Sequence, residues 1–276
     1  MTNREIMEYD VVVVGAGPSG LSAAIKLKQL SKEANNDLSV CVIEKGSEVG
    51  AHIVSGAVIE TKALDELIPD WKTKNSPLKT EATDDKFLYL TKTKSYQLPT
   101  PPQMHNKGNY IISLSDFTKW LAQQAEELEV EIYPGFSASE VLFDEKNKVL
   151  GVATCDMGRL KDGSEGPNFE RGIELRAKQT IFSEGCRGHL GKILMEKYNL
   201  NSDNSPQTYG IGIKELWEIS PENSKPGSIM HTTGWPLDND TYGGSFLYHL
   251  DDNKISIGFV IGLDYKNPYL SPYQEF

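Results

Sequence analysis

The sequence contains little cysteine. Its three cysteines, Cys41, Cys155 and Cys186, lie far apart along 276 residues. An odd and sparse count favours a reducing compartment and argues against a framework of disulfides. It also excludes an iron–sulfur cluster held entirely by cysteines within these residues, because such a cluster requires four thiolates.

Basic residues and long apolar runs are also scarce. The 28 lysines and arginines are outnumbered by 39 acidic residues, which gives a formal net charge of −11. We therefore expect no nucleic-acid partner, since phosphate binding needs a basic surface. No apolar run approaches the roughly 18 residues of a membrane-spanning helix. The start MTNREIMEYD has neither a signal-peptide nor a transit-peptide pattern, so we expect contact with a membrane surface at most.

A glycine-rich turn follows the first apolar run. The β-branched run Tyr9–Val14 predicts a strand buried on both faces, residues from Pro18 to about Ser31 predict a helix, and Leu38–Glu44 predicts a second buried strand. This strand–turn–helix–strand context is what dinucleotide binding requires of a G-x-G-x-x-G pattern, which is weak alone. The pattern is formed by Gly15, Ala16, Gly17, Pro18, Ser19 and Gly20.

Each glycine of the turn has an expected role. Gly15 makes the tight turn, Gly17 lets the backbone approach a pyrophosphate, and Gly20 allows close packing of helix on strand. The start of the helix offers free N–H groups and a positive dipole to the phosphates. Its position at the N-terminus and its Pro-Ser pair favour FAD over NAD. The alternative is a structural glycine-rich turn in an unrelated α/β domain.

Glu44 ends the second predicted strand and is placed to accept hydrogen bonds from a ribose diol. Its carboxylate would repel a 2′-phosphate, which argues against NADP. We add Lys45, Ser55 and Gly56 to the residues expected to bind FAD.

A second strand also ends in glycines before a helix. Thr180–Ser183 predicts the strand, and the helix extends from Gly188 to about Tyr198. The turn can bring Glu184, Gly185 and Gly188 to the dinucleotide, although an ordinary strand–turn–helix connection is the alternative. No partner that would activate Cys186 can be assigned, so a structural thiol is favoured over a nucleophile.

Three further segments have local patterns. Glu131–Tyr133 and Glu174–Arg176 predict short pieces of extended structure, and the polar, Gly-rich stretch Gly158–Gly172 predicts a surface loop.

Several segments resemble one family, the electron-transfer flavoprotein–ubiquinone oxidoreductases. Three of them are specific to that family rather than to flavoproteins in general: YGIGIKELWE, HTTGWPLDNDTYGGSFLYHL and GLDYKNPYLSP. The resemblance implies an FAD domain, a quinone-binding domain and a C-terminal 4Fe–4S domain. It also implies peripheral attachment to a membrane, and transfer of electrons from reduced electron-transfer flavoprotein to ubiquinone.

The resemblance implies an α/β fold (α+β overall), with a Rossmann-like FAD-binding domain of the glutathione-reductase type and an inserted β-rich quinone-binding subdomain. We expect the FAD-binding part at residues 1–85 and 111–200, a membrane-surface segment at 86–110, and the quinone-binding subdomain, incomplete, at 201–276. The cluster cysteines would lie in the remainder of a full-length protein, and we expect no metal site in these residues.

The resemblance implies roles for two segments. Phe87–Met104 resembles the family's membrane segment, and its apolar side chains and lysines suit a lipid surface; a solvated Pro-rich loop is the alternative. Gly243 and Gly244 resemble the quinone contact, and Tyr242 matches a tyrosine that tunes the flavin; a plain turn is the alternative. His231 and His249 match family positions, with structural roles favoured.

The sequence therefore predicts an FAD-dependent oxidoreductase that passes electrons to ubiquinone. A different flavoprotein, either a monooxygenase or an isoprenoid-lipid reductase, is one alternative, and an inactive FAD-binding fragment is another. The lack of a presequence favours the cytoplasmic face of a bacterial inner membrane over the matrix face of the mitochondrial inner membrane.

Overall fold

The computed structural model describes residues 4–54 and 56–276. Ser55, which is expected to contact FAD, lies outside the described residues. The chain divides into two compact units. The first comprises Met1–Ile53 and Thr118–Asn204, and the second comprises Val54–Phe117 and Ser205–Phe276.

The helices and strands are numbered in chain order. They are β1 (Ile6–Val14), α1 (Pro18–Glu33), β2 (Val40–Glu44), β3 (Ala57–Ile59), α2 (Lys62–Leu67), β4 (Thr80–Glu81), β5 (Asp84–Leu90), β6 (Ser95–Leu98), β7 (Tyr110–Ile112), α3 (Leu114–Glu126), β8 (Glu131–Pro134), β9 (Ala138–Phe143), β10 (Val149–Thr154), β11 (Met157–Arg159), β12 (Glu165–Glu170), β13 (Glu174–Phe182), α4 (His189–Lys197), β14 (Gly210–Glu218), β15 (Ser228–Gly234), β16 (Gly243–His249), β17 (Lys254–Gly262) and α5 (Pro272–Glu275).

The first unit is built on a six-stranded sheet with the order β8-β2-β1-β13-β10-β9. Strands β8, β2, β1 and β13 are parallel, whereas β10 pairs antiparallel with β13 and β9. Residues 11–14 of β1 and 40–43 of β2 are buried, as expected for parallel strands covered on both faces. The parallel strands have the order of a Rossmann fold, which confirms the predicted α/β class.

The strand order of this sheet indicates where a ligand-binding crevice should lie. The carboxyl ends of β1, β2, β8 and β13 lie at one edge of the sheet, because the four strands run in the same direction. Along the chain, β2 follows β1 on one side and β13 joins on the other side, so the strand order reverses at β1. Open α/β sheets bind ligands in the crevice outside such a switch point.

The remaining elements of the first unit show two departures from the sequence prediction. The predicted strand pieces Glu174–Arg176 and Thr180–Ser183 form one continuous strand, β13. The Gly-rich stretch from Gly158 to Gly172, expected to be a loop, forms the antiparallel hairpin β11–β12. Asp162–Gly163 lies at the tip of this hairpin, and Asp-Gly between strands is a strong turn signal.

The second unit is mainly β-structure, as expected for its C-terminal part. Its larger sheet has the order β14-β17-β16-β15-β5-β6, and a smaller sheet has the order β3-β7-β4. Neighbouring strands of the larger sheet are antiparallel except β15 and β5, which pair in parallel from Ser228↔Asp84 to Gly234↔Leu90. Ile229 and Ile111 pack together in its core with Ala82 and Leu250.

The compact units therefore divide the chain differently from the predicted domains. Residues 54–85 and 111–117, expected in the FAD-binding part, and residues 86–110, expected as a separate segment, all belong to the second unit. The reason is the pairing of β5 with β15, about which a local sequence pattern carries no information. Phe87–Met104, read as a membrane segment or as a Pro-rich loop, forms most of the hairpin β5–β6 at the edge of this sheet and the 3-10 turn Pro102–Met104.

Candidate functional site

A cleft of about 390 Å³ lies at the carboxyl ends of the parallel strands of the first unit. Each of the four strands contributes residues to its lining. Gly15, Ala16 and Gly17 follow β1, Glu44 and Lys45 come at the end of β2, Phe136, Ser137 and Ala138 follow β8, and Glu184, Gly185 and Gly188 follow β13. The structure thus brings most of the residues predicted to bind FAD into one cleft.

The other predicted residues lie elsewhere. Pro18, Ser19 and Gly20 form the first turn of α1. Gly56 belongs to the second unit, as do the residues assigned to quinone and flavin tuning. The left-handed φ of +89° at Gly56 and the close approach of Ser256 require glycine there. The carbonyl of Gly56 accepts a hydrogen bond from Lys214 Nζ at 2.9 Å.

Two glycines of the first turn are required by packing. Gly15 has a φ of +104°, and a Cβ there would clash with the carbonyl of Ser183. A Cβ at Gly20 would clash with the carbonyl of Gly15 and lie 3.1 Å from Val13 Cγ1. Gly15 also donates its N–H to the carbonyl of Ile43 at 2.8 Å. These glycines let the turn lie close to β13 and α1 lie close to β1, as expected for a dinucleotide-binding turn.

Gly17 is open. Apart from Gly17 itself and its two neighbours in the chain, no atom of the described residues lies within 4 Å of the position that its Cβ would occupy. It is the N-cap of α1, and within the described chain no side chain caps this helix and no acidic residue occupies its first turn. The leading N–H groups of a helix have no intrahelical acceptor, and the positive end of the dipole attracts anions. Gly17 therefore leaves a cradle that fits a pyrophosphate group.

Glu44 is oriented by the backbone around it. Its Oε2 accepts the N–H of Ala16 at 3.1 Å, and its Oε1 accepts the N–H of Gly46 at 2.8 Å. The carbonyl of Gly46 in turn accepts the N–H of Gly135 at 2.7 Å. Each carboxylate oxygen keeps a further lone pair, so Glu44 can both hold the glycine turn and accept hydrogen bonds from a ribose.

Glu184 has a structural role that the sequence did not reveal. Its carboxylate accepts the N–H groups of Leu190 at 3.2 Å and of Gly191 at 2.7 Å, so it caps the start of α4. A Cβ at Gly188 would meet this side chain. The carboxylate is thus directed at α4, and the backbone of Glu184 and Gly185 is what this turn can offer to a ligand.

Several residues that line the cleft are not among those predicted from the sequence. They include His52, Ile53, Phe136, Arg187 and His189. Phe136 had a usable signal, because it comes shortly after the predicted strand Glu131–Tyr133. Recognition of that strand as a parallel neighbour of β2 would have placed Phe136 at the ligand-binding edge.

The glycine pair of the second unit lies in β16. Gly243 pairs with Ile261 and Gly244 with Val260 of β17. Side chains would clash with the carbonyl of Val260 at Gly243 and with the carbonyl of Thr232 at Gly244. The approach of the neighbouring strands is therefore sufficient reason for both glycines. Tyr242, directly before them, is 79% exposed.

One face of this sheet carries a polar and aromatic row made of Lys214, Phe246, His231 and Tyr248. His231 and Phe246 are directly opposite on neighbouring strands, and Phe246 is stacked on Tyr248 with ring centroids 4.7 Å apart. His231 Nε2 and the Tyr248 hydroxyl are 2.9 Å apart. Burial lowers the pKa of His231 and of Lys214 and raises the pKa of Tyr248 to about 12.

His249 also has a protein partner, because its Nδ1 accepts the N–H of Lys225 at 3.2 Å. Burial, followed by the charges of Lys225 and Lys86, lowers the pKa of His249. Both histidines therefore have surroundings compatible with the structural roles predicted for them.

The hairpin β5–β6 presents apolar side chains at the edge of the sheet. Tyr89 pairs with Tyr96 across the hairpin, and Tyr89, Tyr96 and Leu98 are 37%, 51% and 37% exposed. Lys92 and Lys94 lie in the connecting turn, where Thr91 and Lys94 are hydrogen bonded. The hairpin thus combines exposed aromatic rings with a basic tip.

None of the helices in residues 4–54 and 56–276 has both the length and the apolar character of a membrane-spanning helix. No group of three or more His, Cys, Asp or Glu side chains in the same residues is arranged to hold a metal ion. The three cysteines are free thiols.

Solved structures share this fold. A geranylgeranyl bacteriochlorophyll reductase-like protein from Thermoplasma acidophilum matches with a TM-score of 0.62 and 17% identity over 92% of this chain and 57% of its own. The myxobacterial FAD-dependent halogenase CndH matches with a TM-score of 0.60 and 16% identity over 94% of this chain and 54% of its own. The chain therefore shares a Rossmann-like fold with these proteins and has a glycine-turn cleft at the switch point of its parallel strands.

Two family models match parts of the sequence, and curated proteins match nearly all of it. Residues 209–276 match the family model described as "ETF-QO, ubiquinone-binding", and residues 2–67 match the Thi4 family. Electron transfer flavoprotein-ubiquinone oxidoreductase of Dictyostelium discoideum (mitochondrial) is 60% identical over 99% of this chain and 45% of its own length. The protein of that name from Pseudomonas aeruginosa is 56% identical over 99% of this chain and 50% of its own length.

The chain belongs to the electron transfer flavoprotein-ubiquinone oxidoreductase family, and it spans about half the length of the curated relatives it matches.

Proposed function

We propose that this chain binds FAD in the cleft of its first unit, as the flavin- and quinone-binding part of an oxidoreductase that transfers electrons from reduced electron-transfer flavoprotein to ubiquinone. The observation that carries the cofactor assignment is the uncapped start of α1 at the open Gly17, next to Glu44. The family membership supports the reaction.

The residues of the cleft supply binding and orientation. The N–H groups at the start of α1 would hold the pyrophosphate, Glu44 would accept hydrogen bonds from the ribose, and the Glu184–Gly185 backbone would form a second wall. Lys45 adds a positive charge at the end of β2. When bound, FAD supplies the redox chemistry, while the protein contributes position and electrostatics.

We assign ubiquinone to the second unit. The match of residues 209–276 to a ubiquinone-binding family model supports this assignment. Gly243 and Gly244 are the proposed contacts, and the proposed role of Tyr242 in tuning the flavin follows from the family resemblance. The 4Fe–4S cluster is proposed only for a full-length protein, because a cluster of that type needs four thiolates.

We further propose that the hairpin β5–β6 attaches the protein to a membrane surface. Its exposed tyrosines and Leu98 suit the boundary between headgroups and acyl chains, and Lys92 and Lys94 suit anionic headgroups. The relatives include bacterial and mitochondrial proteins. The proposed location is therefore the cytoplasmic face of a bacterial inner membrane or the matrix face of the mitochondrial one.

The electron donor separates this proposal from its alternatives. The fold likeness to a geranylgeranyl bacteriochlorophyll reductase-like protein favours a lipid reductase as the second candidate. Such reductases and the monooxygenases are tested by the same experiment. FAD-loaded protein is mixed anaerobically, in a stopped-flow instrument, with reduced electron-transfer flavoprotein or with NADH or NADPH, and the flavin absorbance is followed.

We expect bleaching of the flavin with electron-transfer flavoprotein and recovery of its absorbance when ubiquinone is added. Rapid reduction by NADH or NADPH would overturn the proposal and favour the second candidate. Reduction by neither donor would identify a part of the enzyme that binds FAD without turnover.

A further inference from the structure

Phe136 is an aromatic side chain at the cleft that the functional assignment leaves unexplained. It lies just beyond the carboxyl end of β8, lines the cleft and is 42% exposed. Isolated exposed apolar side chains are common on protein surfaces. Phe136 differs from these because the structure holds it from two directions.

The first support is a cluster of hydroxyl and carboxylate groups behind the ring. Phe136 meets Tyr133 edge to face, with centroids 6.0 Å apart and an interplanar angle of 77°. The hydroxyls of Tyr133 and Tyr9 donate to the same oxygen, Glu131 Oε2, at 2.6 and 2.9 Å. The Glu131 hydrogen bond raises the pKa of Tyr133, and burial raises the pKa of Tyr9, so both phenols remain donors at neutral pH.

The second support is the backbone that precedes the ring. Gly135 has a left-handed φ of +83°, which turns the chain directly after β8. Its N–H donates to the carbonyl of Gly46 at 2.7 Å, and the N–H of Gly46 donates to Glu44 Oε1 at 2.8 Å. Two hydrogen bonds therefore link the residue next to Phe136 with the carboxylate proposed to hold the ribose.

The chemistry at this end of the cleft fits one part of a dinucleotide. A ribose bound by Glu44 would carry its base towards the neighbouring loop, and adenine is a flat aromatic ring. An exposed aromatic ring offers such a base a stacking surface, and aromatic side chains stabilise bound bases in this way in nucleic-acid complexes. The edge-to-face contact with Tyr133 leaves ring area of Phe136 available.

We propose that Phe136 stacks on the adenine of the bound dinucleotide, and that Tyr133, held by Glu131 and Tyr9, positions it. This inference rests on the proposed FAD site and adds the residue that selects the adenosine half. Phe136 contacts the ligand, whereas Tyr133 acts through Phe136 as a positioning residue.

The test compares three ligands with one another. FAD and ADP both contain adenosine diphosphate, whereas FMN contains the flavin without adenine. Dissociation constants for all three are measured by calorimetry on the purified chain and on Phe136→Ala, Phe136→Trp and Tyr133→Ala. Phe169→Ala is the control, because Phe169 lies on the hairpin β11–β12 of the same unit and packs against Arg159.

We expect Phe136→Ala to weaken FAD and ADP about tenfold, a change of 1.4 kcal/mol, and to leave any FMN binding unchanged. Phe136→Trp should restore the affinity, and its indole emission should be quenched by ADP beyond the change seen in the unmodified chain. Tyr133→Ala should follow Phe136→Ala at a smaller factor, since it removes support rather than the contact.

If Phe136→Ala bound FAD and ADP as tightly as the unmodified chain does, the role of Phe136 would be overturned and the proposed FAD site would stand. Binding of ADP but not FAD by the unmodified chain would overturn the FAD assignment, while the ADP titrations would still decide the role of Phe136. Binding of neither ligand would overturn both.

Discussion

Gly17 and Gly20 belong to the same turn, yet their surroundings differ. The space beside Gly17 is open among the described residues, whereas a Cβ at Gly20 would clash with the Gly15 carbonyl. Gly17 has φ −77° and ψ 174°, which any residue can adopt. Packing therefore accounts for glycine at position 20, whereas only the proposed ligand accounts for glycine at position 17.

Alanine at these two positions should produce opposite results. Gly20→Ala should lower the free energy of unfolding by about 1–3 kcal/mol, the cost of overpacking. Gly17→Ala should change it by only about 0.5 kcal/mol, through the helix cap, but should weaken FAD binding strongly, because its Cβ occupies the cradle. Urea unfolding of the flavin-free protein and FAD titration measure the two effects. Full FAD affinity in Gly17→Ala would contradict this assignment.

The carboxylate of Asp10 should make the stability of the folded protein depend on pH. Its hydrogen bonds with Lys178 and Ser39 lower its pKa from 3.8 to about 2. A carboxylate whose pKa is depressed by folding stabilises the protein above the unfolded pKa and loses that contribution as pH falls through the folded pKa. Stability should therefore decrease between about pH 4 and pH 2 partly through this group.

Asp10→Asn should lower the stability at pH 7 and flatten its decrease between pH 4 and pH 2. Urea unfolding at a series of pH values measures both. Asp37→Asn, an exposed carboxylate of the same unit, is the matched control and should leave the profile unchanged. An unaltered profile in Asp10→Asn would show that Lys178 and Ser39 do not depress the pKa of Asp10.

At the scale of elements, the predictable parts are those with local patterns. The unit β1–α1–β2 follows from a run of valines, a glycine turn and a helical stripe, and the structure confirms it. The hairpin β11–β12 was missed although Asp162–Gly163 signals it. The pairing of β5 with β15 joins segments about 140 residues apart, and long-range pairing of this kind leaves no local trace in either segment.

The residues of the candidate site also divide into those that a local sequence pattern predicts and those that it does not. The glycine turn and Glu44 were predictable because a motif fixes their spacing. The capping of α4 by Glu184 and the support of Phe136 by Tyr133 were not, since each depends on groups that meet only in the folded chain.

The hairpin β5–β6 yields a prediction for membrane binding. Lys92→Glu with Lys94→Glu should weaken binding to anionic vesicles by more than tenfold, since each lysine near such a surface contributes about 1 kcal/mol. Tyr96→Ser with Leu98→Ser should weaken binding to anionic and neutral vesicles alike. Vesicle co-sedimentation measures both.

The hairpin β11–β12 supplies the control, because it also exposes apolar side chains, 56% for Met157 and 51% for Leu160. Met157→Ser with Leu160→Ser should leave vesicle binding unchanged. Equal losses from the two hairpins would show that neither is a specific membrane contact.

At the scale of the whole molecule, the chain consists of two units assembled from discontinuous segments. The first holds the glycine turn, Glu44 and the cleft. The second contains residues 209–276, which match the ubiquinone-binding family model. FAD binding should therefore leave its clearest trace in particular loops of the first unit.

Hydrogen exchange of the chain with and without FAD is the direct test of FAD binding in the cleft. FAD should slow the exchange of residues 15–21, 44–46, 135–138 and 184–188, which surround the cleft. NADP⁺ at the same concentration should leave the exchange of these residues unchanged, because the carboxylate of Glu44 would repel a 2′-phosphate. Unchanged exchange across the glycine turn in the presence of FAD, or equal protection by NADP⁺, would show that the cleft is not the proposed FAD site.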